Sequence, residues 1–160
     1  MARQISDEEE FSGDWDWYAV DEYGAIGHFT TAGFRRLPPT IKEDFDGAEK
    51  CTRYFFDEAR VRTAYSVNDE VNADGAFQDD KERRRYLQSF VQTAERGLFS
   101  FDTKPLVGAD GEYCLVASPR NPLRFEELPA EIAELVSRVR AAYLFSTELR
   151  AVSEIETLNR

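Results

Sequence analysis

The sequence is poor in the side chains that hold metals and drive nucleophilic catalysis, with one histidine, two cysteines and one methionine among 160 residues. Every histidine-dependent triad or metal site therefore has to use His28. Cys51 and Cys114 lie far apart, and neither has a second ligand at the spacing of a zinc site. We expect two buried free thiols, with a disulfide as the alternative. The sequence predicts no metal and no cofactor.

Long apolar runs and phosphate-binding loops are also missing. No window approaches the roughly 18–20 apolar residues of a membrane span, and the first eight residues lack the apolar segment of a secretory signal. No Gly-rich phosphate loop and no Gly-x-Ser-x-Gly motif occurs. These absences predict a cytoplasmic protein without a membrane partner.

Positive charge is scarce in the first half of the chain. Residues 1–80 hold 19 Asp and Glu against 8 Lys and Arg, whereas residues 81–160 hold 12 of each, so the net charge of −11 arises entirely in the first half. The acids are densest before residue 23, where Arg3 is the only cation. Such a surface repels nucleic acid and attracts basic proteins. We therefore expect a basic protein as partner, and no nucleic acid.

Size and composition indicate one folded domain. The 42% apolar and 13% aromatic content supports a hydrophobic core, and no repeat or linker divides the chain. Residues 1–13 are acidic and without hydrophobic period, which predicts a disordered arm. Residues 148–160 are predicted to form a polar tail, which leaves a domain over residues 14–147.

Two β-hairpins are predicted. The aromatic and β-branched run from Asp14 to Asp21, followed by turn residues and a second run ending at Thr31, indicates the first hairpin. Alternation after Leu98, a Gly-containing turn and a strand over residues 112–118 indicate the second. The period of two divides the first strand into two faces, with Trp15, Trp17 and Ala19 on one and Asp14, Asp16, Tyr18 and Val20 on the other.

Apolar residues three or four apart predict about three helices. The first spans residues 41–60. The second begins after Asp79, an N-cap with Glu82 three residues later as in a capping box, and ends before Gly97. The third follows Pro129.

The remaining segments complete an α+β pattern. Residues 61–67 and 123–128 are each predicted to form a short strand, and residues 68–78 a loop. Residues 141–147 either prolong the last helix or form a final strand. Because the elements do not alternate regularly as β-α-β, we expect an α+β fold in which two antiparallel hairpins form a mostly antiparallel sheet packed against the helices.

The first hairpin combines large aromatic side chains with carboxylates, which suits a binding surface for a basic partner. The alternative is that both tryptophans cover the core, since they alternate onto one face. Tyr18 and the aspartates are then the exposed set. The predicted partner-binding residues are accordingly Asp14, Asp16, Tyr18, Asp21 and Glu22, and no catalytic residue is assigned.

His28, the single histidine, is a candidate acid–base group. His28 can pair across the hairpin with Asp14, Asp16 or Asp21. The alternative is a strand histidine that is hydrogen-bonded to a neighbour, and this is the interpretation we favour.

Arg83, Arg84 and Arg85 form the only basic run, within the first turns of the second predicted helix. They either bind an anion or pair with acids from the first half of the chain. Of these two we expect the intramolecular pairing. Nucleic-acid binding would require a wider basic surface than this run provides.

One loop partly matches a calcium-binding loop of the EF-hand type. Asn72 and Asp74 occupy ligand positions and Gly75 the turn, but Glu70 replaces the first aspartate and Lys81 stands where a bidentate glutamate is needed. A lysine there places positive charge against the cation. We therefore expect an acidic surface loop.

Several short motifs occur in a fixed order over residues 15–120: Trp15-x-Trp17-x-Ala19-Val20-Asp21-x-x-Gly24, His28-Phe29-Thr30, Gly33, Gly97-Leu98-Phe99, and Tyr113-Cys114-Leu115-Val116-Ala117. The general pattern resembles small acidic bacterial proteins of unknown function, some of which are immunity proteins that neutralise a toxin by covering it. The resemblance implies no catalytic residue. An excess of arginine over lysine also fits a GC-rich bacterial gene.

Three functions follow from these patterns. The first hypothesis is a non-enzymatic acidic binding protein, an immunity protein or inhibitor that engages a basic protein. The second is a small carboxylate-dependent enzyme that uses His28. The third is a regulatory or structural module whose acidic surface confers solubility.

Overall fold

The computed structural model of the chain describes residues 2–31, 37–68, 77–103, 112–141, 145, 150–151 and 155–157. The helices are α1 (Asp7–Ser12), α2 (Pro39–Glu43), α3 (Phe45–Arg53), α4 (Asp80–Glu95) and α5 (Ala130–Val136). The strands are β1 (Asp16–Val20), β2 (Ile26–Thr30), β3 (Tyr65–Val67), β4 (Phe99–Thr103), β5 (Glu112–Pro119), β6 (Val139–Ala141), β7 (Arg150–Ala151) and β8 (Ile155–Thr157).

The strands form one mixed sheet in the order β3-β5-β4-β2-β1-β6-β8, and β7 pairs with β5. Both predicted hairpins are present as antiparallel pairs, β1 with β2 and β4 with β5. The expectation of a mostly antiparallel sheet is met in part: five of the seven described strand pairs are antiparallel, but β2 runs parallel to β4 and β1 runs parallel to β6, so the sheet is mixed. The α+β class is confirmed, with more helices than the three expected.

The sheet must curl, because the short segment between β7 and β8 joins its two edges. Ala151 and Ile155 are separated by a chain that reaches at most about 14 Å. The strand order places β7 and β8 six inter-strand spacings apart, which is roughly 29 Å in a flat sheet. Curvature of the sheet therefore brings the two edges together without pairing β7 to β8.

One face of the sheet, called here the aromatic face, carries a stack of rings. The Trp17 and Phe29 ring centroids lie 4.2 Å apart at an interplanar angle of 12°, and those of Phe29 and Phe101 lie 4.7 Å apart at 6°. Tyr113 and Phe145 meet Phe29 edge-on. All five side chains are fully buried, so this face holds the larger part of the aromatic core.

The opposite face, called here the helical face, is covered by α3, α5 and α4. Tyr18, Val20 and Ile26 pack there with residues from α3 and α5, and Val116 packs with Leu87 and other residues of α4. Both faces of β1 and β2 are thus buried. A central strand covered on both sides leaves few of its side chains for solvent.

The longest helix, α4, begins and ends where the sequence predicts. The Asp79 carboxylate accepts a hydrogen bond from the Glu82 backbone N–H at 2.8 Å, which confirms the N-cap. The Glu82 carboxylate accepts from the Gln78 N–H, one residue before the position of a regular capping box. Gly97 ends the helix at φ +98°, where an added Cβ would lie 2.6 Å from the Leu123 backbone nitrogen.

The N-terminal segment differs from the expected disordered arm. Ser6 and Glu9 form a reciprocal capping box that starts α1. Ile5 is buried in the core, and its N–H donates to the Lys42 carbonyl at 2.9 Å. The buried Glu10 carboxylate binds the Lys42 ammonium at 2.9 Å. The sequence did not predict these contacts, because the segment is acidic in composition and, among its described residues, Ile5 is the one hydrophobic residue that is buried.

Other element boundaries also differ from expectation. The helix predicted over 41–60 is divided at Asp44 into α2 and α3, and its last part is a π-helical turn over Tyr54–Glu58. Residues 123–128 contain a 3₁₀ turn instead of a strand, and residues 139–141 form β6. The predicted polar tail contains β7 and β8. Most of the predicted acidic loop lies outside the described residues.

Both cysteines are free thiols, Cys51 buried and Cys114 half-buried. Burial raises the pKa of the Cys51 thiol to about 12. Among the helices that the structure describes, none combines the length and apolar character needed to cross a bilayer.

Removal of the central ring of the stack tests the aromatic core. Phe29→Ala deletes a fully buried ring, and we expect a loss of about 3–5 kcal/mol in the free energy of unfolding, measured by urea denaturation. Tyr23 is 66% exposed, so Tyr23→Ala is the control and should cost less than about 0.5 kcal/mol. Equal losses in the two variants would contradict this account of the core.

Candidate functional site

The structure separates the five predicted partner-binding residues into two groups. Asp14 and Glu22 are exposed, and Asp16 is about two-fifths exposed at its side chain. Tyr18 and Asp21 are buried, at 2% and 4% exposure. The expectation that Tyr18 and Asp21 lie on the open surface is therefore wrong.

Tyr18 is buried because α3 covers the face of β1 that sequence alternation left open. Its hydroxyl lies 3.0 Å from the Thr52 hydroxyl oxygen, and its ring packs against Phe55 at 5.0 Å. Burial raises the pKa of the Tyr18 phenol well above its usual value. Tyr18 therefore holds α3 to the sheet.

Asp21 is buried because its carboxylate organises the turn between β1 and β2. Oδ1 accepts the backbone N–H groups of Tyr23 and Ala25, each at 2.9 Å. Oδ2 accepts the N–H of Phe145 at 3.1 Å. Gly24 completes this turn at φ +81°, a conformation that favours glycine.

His28 lies at the centre of a buried chain of polar groups on the helical face. Its Nε2 atom is 2.7 Å from Asp16 Oδ1, and its Nδ1 atom is 2.8 Å from Ser100 Oγ. The predicted pairing of His28 with a carboxylate across the hairpin is thus present, with Asp16 as the partner. Register explains the contact, because His28 lies opposite Tyr18 on β1 and opposite Ser100 on β4.

This Asp16-His28-Ser100 chain has the residue types of a serine-hydrolase triad but not its geometry. Ser100 is fully buried, and His28 is 1% exposed, so a substrate cannot reach the hydroxyl. The serine also meets Nδ1 and the carboxylate meets Nε2, which reverses the arrangement in chymotrypsin-like enzymes. The chain therefore fixes the position of the Asp16 carboxylate.

A partly buried carboxylate, that of Asp102, lies on β4. Asp102 Oδ2 accepts a hydrogen bond from the Tyr86 hydroxyl at 2.6 Å. Burial raises the pKa of Asp102 above its usual range, the Tyr86 bond opposes this shift, and the nearby charge of Asp14 adds to it. Burial and Asp102 together raise the pKa of the Tyr86 phenol.

An acidic cleft of about 340 Å³ opens where β1 begins and α3 crosses it. Three carboxylates line it, and Arg53 is the cation among the lining residues that the structure describes. The Asp14 carboxylate accepts a hydrogen bond from Thr30, and Asp16 is held by His28, so both are fixed by the sheet. The lining residues are Asp14, Trp15, Asp16, Phe45, Glu49, Thr52 and Arg53.

The aromatic wall of this cleft already contacts one guanidinium within the chain. The Arg3 guanidinium carbon lies 5.9 Å from the Trp15 ring centroid and 5.5 Å from that of Phe45. These distances are typical of cation–π contacts. The carboxylates and rings of the cleft therefore suit an arginine side chain.

Sequence reasoning found Asp14 and Asp16 but missed Glu49, which α3 brings to the cleft. Glu49 and Arg53 lie one helical turn apart on the exposed side of α3, a pattern shared by most surface helices. Nothing in the sequence connects that side of α3 to the start of β1. Among the residues that the structure describes, no group of three His, Cys, Asp or Glu side chains could hold a metal ion.

Comparison with known proteins gives no relative for this chain: no family model, no curated protein and no solved structure matches it. The function must therefore be argued from the chain itself.

The buried bond between Ser100 and His28 can be tested by deletion of the hydroxyl. Ser100→Ala leaves His28 Nδ1 without its partner, and we expect a loss of about 1–3 kcal/mol in the free energy of unfolding. Ser12→Ala is the control, because Ser12 is an exposed residue. A Ser100→Ala variant as stable as the unmodified protein would show that this bond contributes nothing.

The raised pKa of Asp102 predicts a pH dependence of stability. A carboxyl whose pKa is higher in the folded than in the unfolded state lowers stability as pH rises through the folded value. The stability of Asp102→Asn relative to the unmodified protein should therefore increase between about pH 4 and pH 7. Urea denaturation across this range measures the difference, with exposed Asp57→Asn as control. A constant difference would contradict the raised pKa.

Proposed function

We propose that the protein is a non-enzymatic binding protein whose acidic cleft receives a basic segment, with arginine as the anchoring side chain, of a partner protein. The observation that carries the proposal is the convergence of Asp14, Asp16 and Glu49 on one cleft beside the Trp15 ring. Carboxylates bind a guanidinium through charge-assisted hydrogen bonds, and the ring face adds a cation–π contact.

Pre-organisation supports this proposal over a merely solubilising acidic surface. Asp16 is held by a buried histidine and Asp14 by the Thr30 hydroxyl, so both carboxylates are positioned before a partner arrives. A binding group that is already fixed loses less conformational freedom on association. Solubility requires no such fixation, because mobile surface charges serve equally well.

An immunity protein or inhibitor is the role that fits these properties best. Such a protein has to reach a basic partner quickly, and the net charge of −11 favours rapid association. The burial of Ser100 and the reversed contacts of His28 argue against the enzyme hypothesis. A cytoplasmic location is part of the same proposal.

Two matched variants distinguish binding at the cleft from a general effect of the protein's negative charge. Glu49→Gln removes a charge that lines the cleft, and Glu22→Gln removes an exposed charge at the far end of β1. We expect Glu49→Gln to weaken binding of an arginine-glycine repeat peptide about three- to tenfold, and Glu22→Gln to have little effect. Fluorescence anisotropy at low salt measures both affinities.

Salt and peptide chemistry provide the remaining controls. Binding should weaken as ionic strength rises, because screening shortens charge attraction to about 8 Å at 0.15 M salt. A citrulline-glycine peptide, which lacks the charge, should not bind. If Glu22→Gln weakened binding as much as Glu49→Gln, binding would follow net charge and the cleft would not be the site. Absence of binding to any basic peptide or protein would favour the regulatory or structural module.

A further inference from the structure

The outer edge of β3 has backbone hydrogen-bonding groups with no partner among the residues that the structure describes. On its inner side, Ala64 O accepts from Arg120 N at 2.9 Å and Asn68 N donates to Val116 O at 2.8 Å, while Ser66 lies opposite Ser118. The backbone N–H and C=O groups of Ala64, Ser66 and Asn68 therefore point towards β5. In an antiparallel ladder the alternate residues point the other way, so Tyr65 and Val67 direct their N–H and C=O groups outward.

Nothing in the described part of the chain pairs with that edge. β3 is the terminal strand of the sheet on this side, and β7 pairs with β5 further along, at Glu112 and Tyr113. Sheet edges with open backbone groups are templates for an added strand. Because β3 has only three residues, main-chain pairing alone can hold only a short added strand. A longer segment also needs contacts with side chains.

Side chains of α4 provide those contacts. A groove of about 640 Å³ runs between β3 and α4. Among its lining residues, Leu87 is buried in a hydrophobic cluster, Val67 and Val91 pack partly buried against that cluster, and Tyr65 is 41% exposed. An extended segment laid along β3 would place alternate side chains over these apolar groups.

The rim of this groove is basic at one end. Lys81, Arg84 and Arg85 are exposed and have no ion-pair partner among the residues that the structure describes. The expectation that the arginine run pairs with acids from the first half of the chain stays a prediction, because three of those acids lie in residues 69–76, outside the described residues. Glu95, the acid in the lining, lies at the other end, where its carbonyl accepts from the backbone of residues 62 and 63.

We propose that this groove binds an extended acidic segment of a partner protein, which adds to β3 as an antiparallel strand. β3 runs from the Glu95 end of the groove towards the basic end, so an antiparallel segment has its N-terminal residues beside Arg84. Acids therefore belong in the first half of the segment, and apolar residues in the second half. The inference is independent of the acidic cleft, which lies at β1 and has the opposite charge.

The probe is a fluorescein-labelled peptide, Asp-Glu-Asp-Val-Thr-Val-Thr-Val, measured by anisotropy with the full chain. Arg84→Glu should weaken its binding about three- to tenfold. Arg140→Glu is the matched control, because Arg140 is an exposed arginine on β6, and it should leave the affinity unchanged. Equal effects of the two variants would mean that the peptide responds only to net charge, which would overturn the proposal.

Strand addition is tested separately through the backbone. Val67→Pro removes an outward N–H while keeping the bonds of Ser66 and Asn68 to β5, and proline is tolerated on edge strands in this position. We expect peptide binding to fall at least fivefold, with the circular dichroism spectrum and thermal midpoint close to those of the unmodified protein. Peptides N-methylated at alternate residues test the same bonds without changing the protein, and one of the two methylation patterns should abolish binding.

Three further results would also overturn the proposal. The first is unchanged affinity for both N-methylated peptides, which would exclude main-chain pairing. The second is equal binding of a peptide with Asn and Gln in place of its acids. The third is tighter binding of an oligothymidylate than of the peptide, with the same dependence on Arg84, which would make the groove a site for nucleic acid. Loss of arginine-peptide binding in Glu49→Gln leaves this inference untouched, so the two proposals fail independently.

Discussion

The structure depends on the match between the spacing of stacked rings and the spacing of strands. Trp17, Phe29 and Phe101 come from three neighbouring strands, and their centroids lie 4.2 and 4.7 Å apart, close to the roughly 4.8 Å between strands. The stack aligns β2 with β4 in parallel. Because neighbouring residues point to opposite faces, the same register places His28 beside Ser100 on the other side.

The net charge of the chain conceals two surfaces of opposite sign. The acidic cleft lies at the start of β1, and the basic groove lies along β3, with β2, β4 and β5 between the two strands. The balanced charge of the second half therefore includes a local excess of cations on α4. The two proposed binding sites therefore lie apart on the sheet and have opposite charge.

Local signals in the sequence predicted local structure well. The N-cap at Asp79, the glycine after α4 and both hairpins are confirmed, because each depends on residues close together in the chain. The parallel contact of β2 with β4 has no such signal. Tyr18 was misplaced for the same reason, since alternation assigns a side chain to a face but does not show that α3 covers that face. Asp21 was misplaced because one donor to its buried carboxylate, the Phe145 N–H, is distant in the sequence. The cleft was only half predicted, because Glu49 reaches it through tertiary packing.

Asp21 has a consequence for the order of folding. Its buried carboxylate accepts a hydrogen bond from the Phe145 N–H, 124 positions later in the chain. A growing polypeptide that has only its first hairpin outside the ribosome still lacks this donor, and a buried carboxylate without its donors is costly. The hairpin supplies two donors to this carboxylate from Tyr23 and Ala25, but the third requires residue 145 to be in place. Such long-range closure slows folding, so chaperones that shield the exposed aromatic strands should raise the yield of native protein.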